Sequence, residues 1–241
     1  MKLTDFRVLS FDCYGTLIDW ESGIWSALQP LLQANDHKIS REAALAAYAR
    51  IEPAQEHETP DLIYRDLLVL VHGKMASDWG IASTPALDRA FGNSVPDWPA
   101  FPDSAEALAY LKQHYKLVIL SNVDRQSFAG SNPKLGVAFD AICTAEEIGS
   151  YKPDPRNFAY LIREVGKLGL AKSDILHTAQ SLYHDHVQAE AAGIARCWIN
   201  RRGDTGKGSG ATKPVEKMPA VDFQFPSMAA LAEAHRKAVG G

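Results

Sequence analysis

The stretch Arg7-Val8-Leu9-Ser10-Phe11-Asp12-Cys13-Tyr14-Gly15-Thr16-Leu17 runs from apolar residues into an acid, a glycine and a threonine. Residues 7–12 have the length and the β-branched and aromatic content of a short buried strand. Gly15 and Thr16 supply turn chemistry directly after it. The segments downstream in the chain decide which kind of sheet this strand enters.

Four further apolar runs read as strands: Lys116-Leu117-Val118-Ile119-Leu120, Ala141-Ile142-Cys143, Asp174-Ile175-Leu176-His177-Thr178-Ala179 and Arg196-Cys197-Trp198-Ile199-Asn200. Helices are expected between them. One runs through Tyr110-Leu111 and is capped by Asp103 or Ser104. Another follows Pro155 over 156–165, and a third passes through Ala189 and Ala192 to end at Gly193. Alternating strands and helices predict an α/β fold, a Rossmann-like doubly wound parallel sheet covered on both faces. Between the first and second strands, Ala27, Leu28, Leu31 and Leu32 recur at helical spacing, as do Leu62, Leu67, Leu68 and Val71. Pro53 and Pro60 should break this stretch into several helices. It is far longer than one crossover needs, so residues 19–98 are expected to form an inserted helical cap domain. Residues 1–18 and 99–241 then form the core domain.

The 241 residues are 46% hydrophobic and 22% charged, ordinary values for a globular chain. The formal net charge is -4 and no block of Lys and Arg stands out, which argues against a nucleic-acid partner. No apolar run is long enough to span a membrane and the start does not read as a signal peptide, so a cytoplasmic location is expected. Cys13, Cys143 and Cys197 are odd in number and far apart, which fits reduced thiols. The segment 203–213 reads as a surface loop. Its Gly206-Lys207-Gly208 lacks the Ser or Thr that a phosphate loop places after the lysine.

In a parallel sheet, ligands lie beyond the carboxyl ends of the strands. Four sets of polar residues map there: Asp12 with Thr16, Ser121 with Asn122, Lys152, and Gln180-Ser181 with Asp185. A lysine beside Asp12 would favour its charged form, and an oriented carboxylate can act as a nucleophile.

These residues carry a resemblance. Phe11-Asp12-Cys13-Tyr14-Gly15-Thr16-Leu17, Leu120-Ser121-Asn122, Tyr151-Lys152-Pro153-Asp154-Pro155 and Ala179-Gln180-Ser181-Leu182-Tyr183-His184-Asp185 resemble, in order, the four motifs of the haloacid dehalogenase superfamily. Phosphatases of that superfamily carry a second acid where Tyr14 stands and a magnesium-binding acid where Gln180 stands. Both departures argue against phosphoryl transfer, which needs that charge compensation. Asp-x-Tyr-Gly-Thr and Cys197-Trp198-Ile199-Asn200-Arg201 are instead similar to the type II (S)-2-haloacid dehalogenases.

The resemblance implies roles. Asp12 is the nucleophile that forms an ester, Lys152 and Thr16 orient it, and Asp185 helps activate water. Ser121 and the backbone N–H groups after Asp12 hold the substrate carboxylate, while Asn122 and a cap arginine cradle the halide. Arg50 matches that arginine by position, with Arg65 also open. Cys13, Tyr14, Trp20, Gln180 and Ser181 complete the candidate pocket. The substrate implied is a small 2-substituted carboxylic acid, with no metal and no cofactor, in a possible homodimer.

Other readings stand beside these. Phe158 replaces a tyrosine of the family. Cys13 reads more readily as buried packing than as a reactive thiol, and Trp20 and Trp25 more readily as core or cap-hinge packing than as substrate contacts. His184-Asp185-His186 reads as capping and surface residues. The cap is acidic, with Glu52, Glu56, Glu58 and Asp61 close together. Another branch resembling these dehalogenases opens azetidine-2-carboxylate with expulsion of an amine, an alternative that the acidic cap favours: a carboxylate facing the pocket would point to the amine, a buried arginine to the halide. A phosphatase and a non-catalytic binding protein are the remaining alternatives.

Overall fold

The structure, a computed structural model, describes residues 1–203 and 211–240; Gly206-Lys207-Gly208 lies outside the described residues. Six strands form one sheet: β1 (Val8–Phe11), β2 (Lys116–Ser121), β3 (Ala141–Thr144), β4 (Ile175–Ala179), β5 (Ala195–Ile199) and β6 (Phe223–Phe225). Every pairing is parallel and the order is β3-β2-β1-β4-β5-β6. The direction of winding reverses between β1 and β4, which opens a crevice at their carboxyl ends.

Among the described residues, ten α-helices complete the fold: α1 (Trp20–Ala34), α2 (Arg41–Glu58), α3 (Tyr64–Asp78), α4 (Pro85–Gly92), α5 (Ser104–Leu111), α6 (Arg125–Ser131), α7 (Ala145–Ile148), α8 (Pro155–Lys167), α9 (Val187–Ala191) and α10 (Met228–Gly240). Successive strand residues point to opposite faces. Leu9, Phe11, Leu117 and Ile119 therefore pack with α5 and α10 on one side. Val8, Val118 and Leu120 pack with Phe158, Leu161 and Val165 of α8 on the other. The doubly wound parallel sheet expected from the strand pattern is the observed fold.

Helix starts follow side-chain chemistry. Asp19, Ser40, Thr84, Asp124 and Asp154 each accept a hydrogen bond from a first-turn backbone N–H, and Pro85 and Pro155 occupy first-turn positions where no N–H is needed. Two expectations are corrected. Pro53 does not break a helix: it lies inside α2, where buried Tyr48, Ile51, Glu52, Gln55 and Glu56 hold the helix by packing. The sequence pattern also left out β6, α6 and α10. All of α1 to α4 lies between β1 and β2, with α3 packed on α2 and α4. No helix among the described residues is long and apolar enough to cross a membrane. All three cysteines are free and buried.

Candidate active site

Asp12 extends β1 by one residue, its N–H donating to Thr178 O at 3.2 Å. The chain then doubles back. Gly15 adopts φ +99°, a backbone region that disfavours side chains, and its N–H donates to Ile18 O at 2.8 Å. This turn returns Thr16 to the strand end, where its hydroxyl donates to Asp12 Oδ2 at 2.8 Å and accepts from Gln180 N–H at 2.9 Å.

Lys152 is delivered by a reciprocal pair of bonds: its N–H donates to Asn122 Oδ1 at 2.7 Å and Asn122 Nδ2 donates to Lys152 O at 3.1 Å. Its buried ammonium donates to Asp12 Oδ1 at 2.9 Å, Asp185 Oδ1 at 2.7 Å and Leu120 O at 3.0 Å. All three donor hydrogens are thereby used. Asp185 lies in a π-helical turn, Leu182–His186, that Ser181 caps. His177 Nε2 meets Asp185 Oδ1 at 2.9 Å and His177 Nδ1 meets Ser10 Oγ at 2.9 Å. An ionised carboxylate only accepts, so Nε2 carries a proton and donates to Asp185.

One ammonium between two carboxylates leaves a net negative charge in a buried place. Burial pushes the Asp12 carboxyl above its ordinary value; Lys152 opposes this and Asp185 adds to it. Burial works the same way on Asp185, but Lys152 and His177 together hold it well below the usual range. Burial would discharge Lys152, yet the two carboxylates hold it above its ordinary value, so it remains a cation. Asp12 is the more basic acid and the more exposed of the two.

The site holds a cavity of ≈ 40 Å³. Asp12, Tyr14, Trp20, Ser121, Asn122, Lys152, Gln180, Ser181 and Asp185 line it. Ser121 Oγ is buried with no hydrogen-bond partner among the described residues. Tyr14 donates to or accepts from Ser131 Oγ at 3.0 Å, and burial keeps its phenol well above the ordinary value.

Three placements expected from the sequence fail. Cys13 packs in the core, fully buried, and does not line the cavity. Arg50 points to solvent, pairs with Asp78 and borders a separate surface groove. Arg65 also stays out of the cavity and pairs with Asp124 at 3.6 Å. The helical period explains Arg50: two residues turn a side chain by about 200°, so a helix that aims Glu52 inward aims Arg50 outward. His184-Asp185-His186 is not a surface run either, since Asp185 and His186 are buried and His184 lines the cavity.

Glu52, Tyr64 and His184 are cavity residues that the sequence pattern did not place there. Tyr64 donates to Glu52 Oε1 at 3.0 Å, and Asn122 Nδ2 donates to Glu56 Oε1 at 2.9 Å. Burial raises Glu52 to about 7 despite the Tyr64 bond. Burial and then Glu52 raise Glu56 well above its ordinary value. Burial lowers His184 to about 4, leaving its ring neutral. The i, i+4 spacing of Glu52 and Glu56 puts both on one helix face; nothing in the sequence says that this face turns inward.

A family model for haloacid dehalogenase-like hydrolases matches residues 6–178. The (S)-2-haloacid dehalogenase 4A of Burkholderia cepacia is 26% identical over 206 residues, covering 82% of this chain and 84% of that protein. A phosphoglycolate phosphatase of Photorhabdus laumondii is 24% identical over 195 residues, covering 79% of each chain. The structure of an L-2-haloacid dehalogenase from Xanthobacter autotrophicus with chloropropionic acid covalently bound superposes with a TM-score of 0.78, at 17% identity, over 96% of this chain and 98% of that one. At that identity the superposition speaks for the fold alone.

Proposed function

Because this chain belongs to the haloacid dehalogenase-like hydrolase family, we propose that it displaces the leaving group at C2 of a small 2-substituted carboxylic acid through an Asp12 ester, acting as an (S)-2-haloacid dehalogenase. The observation that carries this reading is the Asp12 carboxylate. It is gripped on one oxygen by Lys152 and on the other by Thr16, and it opens onto a cavity that also holds the unpartnered Ser121 hydroxyl.

In this reading an Asp12 oxygen attacks C2 from the side opposite the halogen. The carbon–halogen bond breaks, its electron pair leaves with the halide, and an ester forms with inversion. Ser121 donates to the substrate carboxylate. Asn122 and Trp20 flank the leaving group. Water then adds to the ester carbonyl, directed by Asp185, whose Oδ2 has no partner among the described residues. The product hydroxyl keeps the Asp12 oxygen, and the oxygen from water enters Asp12. Lys152 stays charged throughout and serves to align both acids. Residues 19–98 act as a cap that excludes bulk water from the first step.

A single turnover on 2-chloropropionate in ¹⁸O-water tests this. The first 2-hydroxy acid released should carry unlabelled oxygen, and mass spectrometry should find the label in the peptide containing Asp12. Asp12→Asn should lower the rate by at least ~10³-fold. Label in the first product would refute the ester route. A second reading, ring opening of azetidine-2-carboxylate, has one feature in its favour: Glu52 and Glu56, not an arginine, occupy the cap side of the site. The dehalogenase relatives lend it no support, and halide release from 2-chloropropionate without turnover of azetidine-2-carboxylate would remove it.

A further inference from the structure

We propose that Glu52, Glu56 and His184 form a binding site for one divalent transition-metal ion of the zinc class, separate from the Asp12–Lys152–Asp185 group. Each residue offers one ligand atom, and the three atoms lie within 4.8 Å of one another. The measured pair, His184 Nε2 and Glu56 Oε2, is 3.7 Å apart. A tetrahedral ion with bonds of ~2.0–2.2 Å sets its ligand atoms roughly 3.3–3.5 Å apart, so a small inward shift completes the geometry.

The spare atoms point to a ligand. Glu52 is 4% exposed, yet its Oε2 has no partner among the described residues, and the buried His184 Nε2 has none either. The other atom of each group is already committed. Glu52 Oε1 accepts from Tyr64, Glu56 Oε1 accepts from Asn122, and His184 Nδ1 lies 3.3 Å from Ser181 Oγ. Outer hydrogen bonds of this kind orient metal ligands and fix the imidazole tautomer. Glu52 and Glu56 are both buried. Among the described residues no lysine or arginine lies within 4 Å of either; the one basic group that close is His184. A carboxylate–carboxylate–imidazole set suits zinc, cobalt or iron better than magnesium, which demands near-octahedral oxygen coordination. Glu52 and His184 line the cavity, so the fourth coordination position opens into it.

Such an ion would tie α2 to the turn after β4. It would also neutralise the acidic side of the cavity and present an electrophile where no arginine stands. This last consequence rests on the dehalogenase reading; the site itself does not.

The test needs no substrate. Full-length protein stripped with chelator is titrated with Zn²⁺ by calorimetry and with Co²⁺ by visible spectroscopy. One equivalent per chain is expected, with the intense d–d bands of tetrahedral Co²⁺. Glu52→Gln, Glu56→Gln and His184→Asn should each weaken binding at least ~100-fold and erase the bands, while Tyr64→Phe should cost about 10-fold. Asp12→Asn should leave both readouts unchanged. Far-UV circular dichroism of the stripped variants checks that they are folded. The glutamine variants are isosteric with the acids they replace. Absence of stoichiometric binding to wild type would overturn the proposal, as would binding that survives loss of these ligands or disappears with Asp12→Asn. Either failure leaves the ¹⁸O experiment untouched.

Discussion

Lys152 holds the chemistry together at the scale of single residues, since one buried ammonium serves two buried carboxylates. Lys152→Met fills a similar volume but leaves both acids without their counter-charge. Removing one partner from a buried ion pair costs about 3–5 kcal/mol, and urea unfolding at pH 7 should register a loss of that size; a variant as stable as wild type would mean that the acids are compensated elsewhere. The pH profile follows from the same contacts. In the proposed mechanism Asp12 attacks only when ionised, and burial holds its folded pKa above the ordinary value, with Asp185 as a further contributor. The acid limb of kcat/KM should therefore lie above the ordinary carboxylate range. Asp185→Asn removes a negative neighbour and leaves Lys152 to Asp12 alone, so the limb should move to lower pH even as the maximal rate falls. A limb that stays in place would assign it to another group. Asp12, Thr16, Lys152 and Asp185 were legible in the sequence because each follows a strand or lies in the loop beyond one, and strand ends converge in a parallel sheet. Glu52 was not legible, because its role depends on how far α2 is rotated about its axis, which apolar periodicity does not set when the buried face carries acids.

At the scale of elements, the strands with longer apolar runs announced themselves, and β6 did not. Phe223-Gln224-Phe225 is too short to separate from loop by pattern alone, and it becomes a strand by pairing in register with Cys197 and Ile199 of β5. Pro53 shows the opposite case. Its local cost is real, but packing on both sides of it outweighs one lost backbone bond. Helix contacts inside 19–98 make a sharper demand that no pattern conveys. A Cβ on Gly92 would lie 2.4 Å from Arg65 O and 2.7 Å from Val69 Cγ2, so α4 meets the backbone of α3 here. Alanine would add about 1 kcal/mol of helix propensity, but a carbonyl on a packed helix cannot rotate away. The clash should win. Gly92→Ala is expected to cost about 2 kcal/mol and to lower Tm by roughly 4–8 °C in a chain of this size. A raised Tm would mean that α3 and α4 separate easily.

At the scale of the whole molecule, the cavity volume sets the problem. Its ≈ 40 Å³ admits a few water molecules, while small-molecule pockets run to about 300–1,000 Å³. A 2-haloacid is larger than this space, so in the dehalogenase reading the helices over the sheet open to admit it. Polar ties across that boundary include Asn122 to Glu56, Arg65 N–H to Asp124 Oδ2, and the Tyr151 hydroxyl to Leu62 O. Tyr151 is the one to test, since its phenyl body stays in place when the hydroxyl is removed. Loss of one such bond is worth about 1 kcal/mol, or roughly fivefold in an opening equilibrium. Hydrogen exchange should then speed up about fivefold in α2 and α3 of Tyr151→Phe and remain unchanged in β1, β2 and β4. Equal acceleration everywhere would mean that the molecule opens only by unfolding globally. Without substrate, the α2 amides of the wild type should already exchange faster than those of β1, because in the dehalogenase reading opening precedes binding.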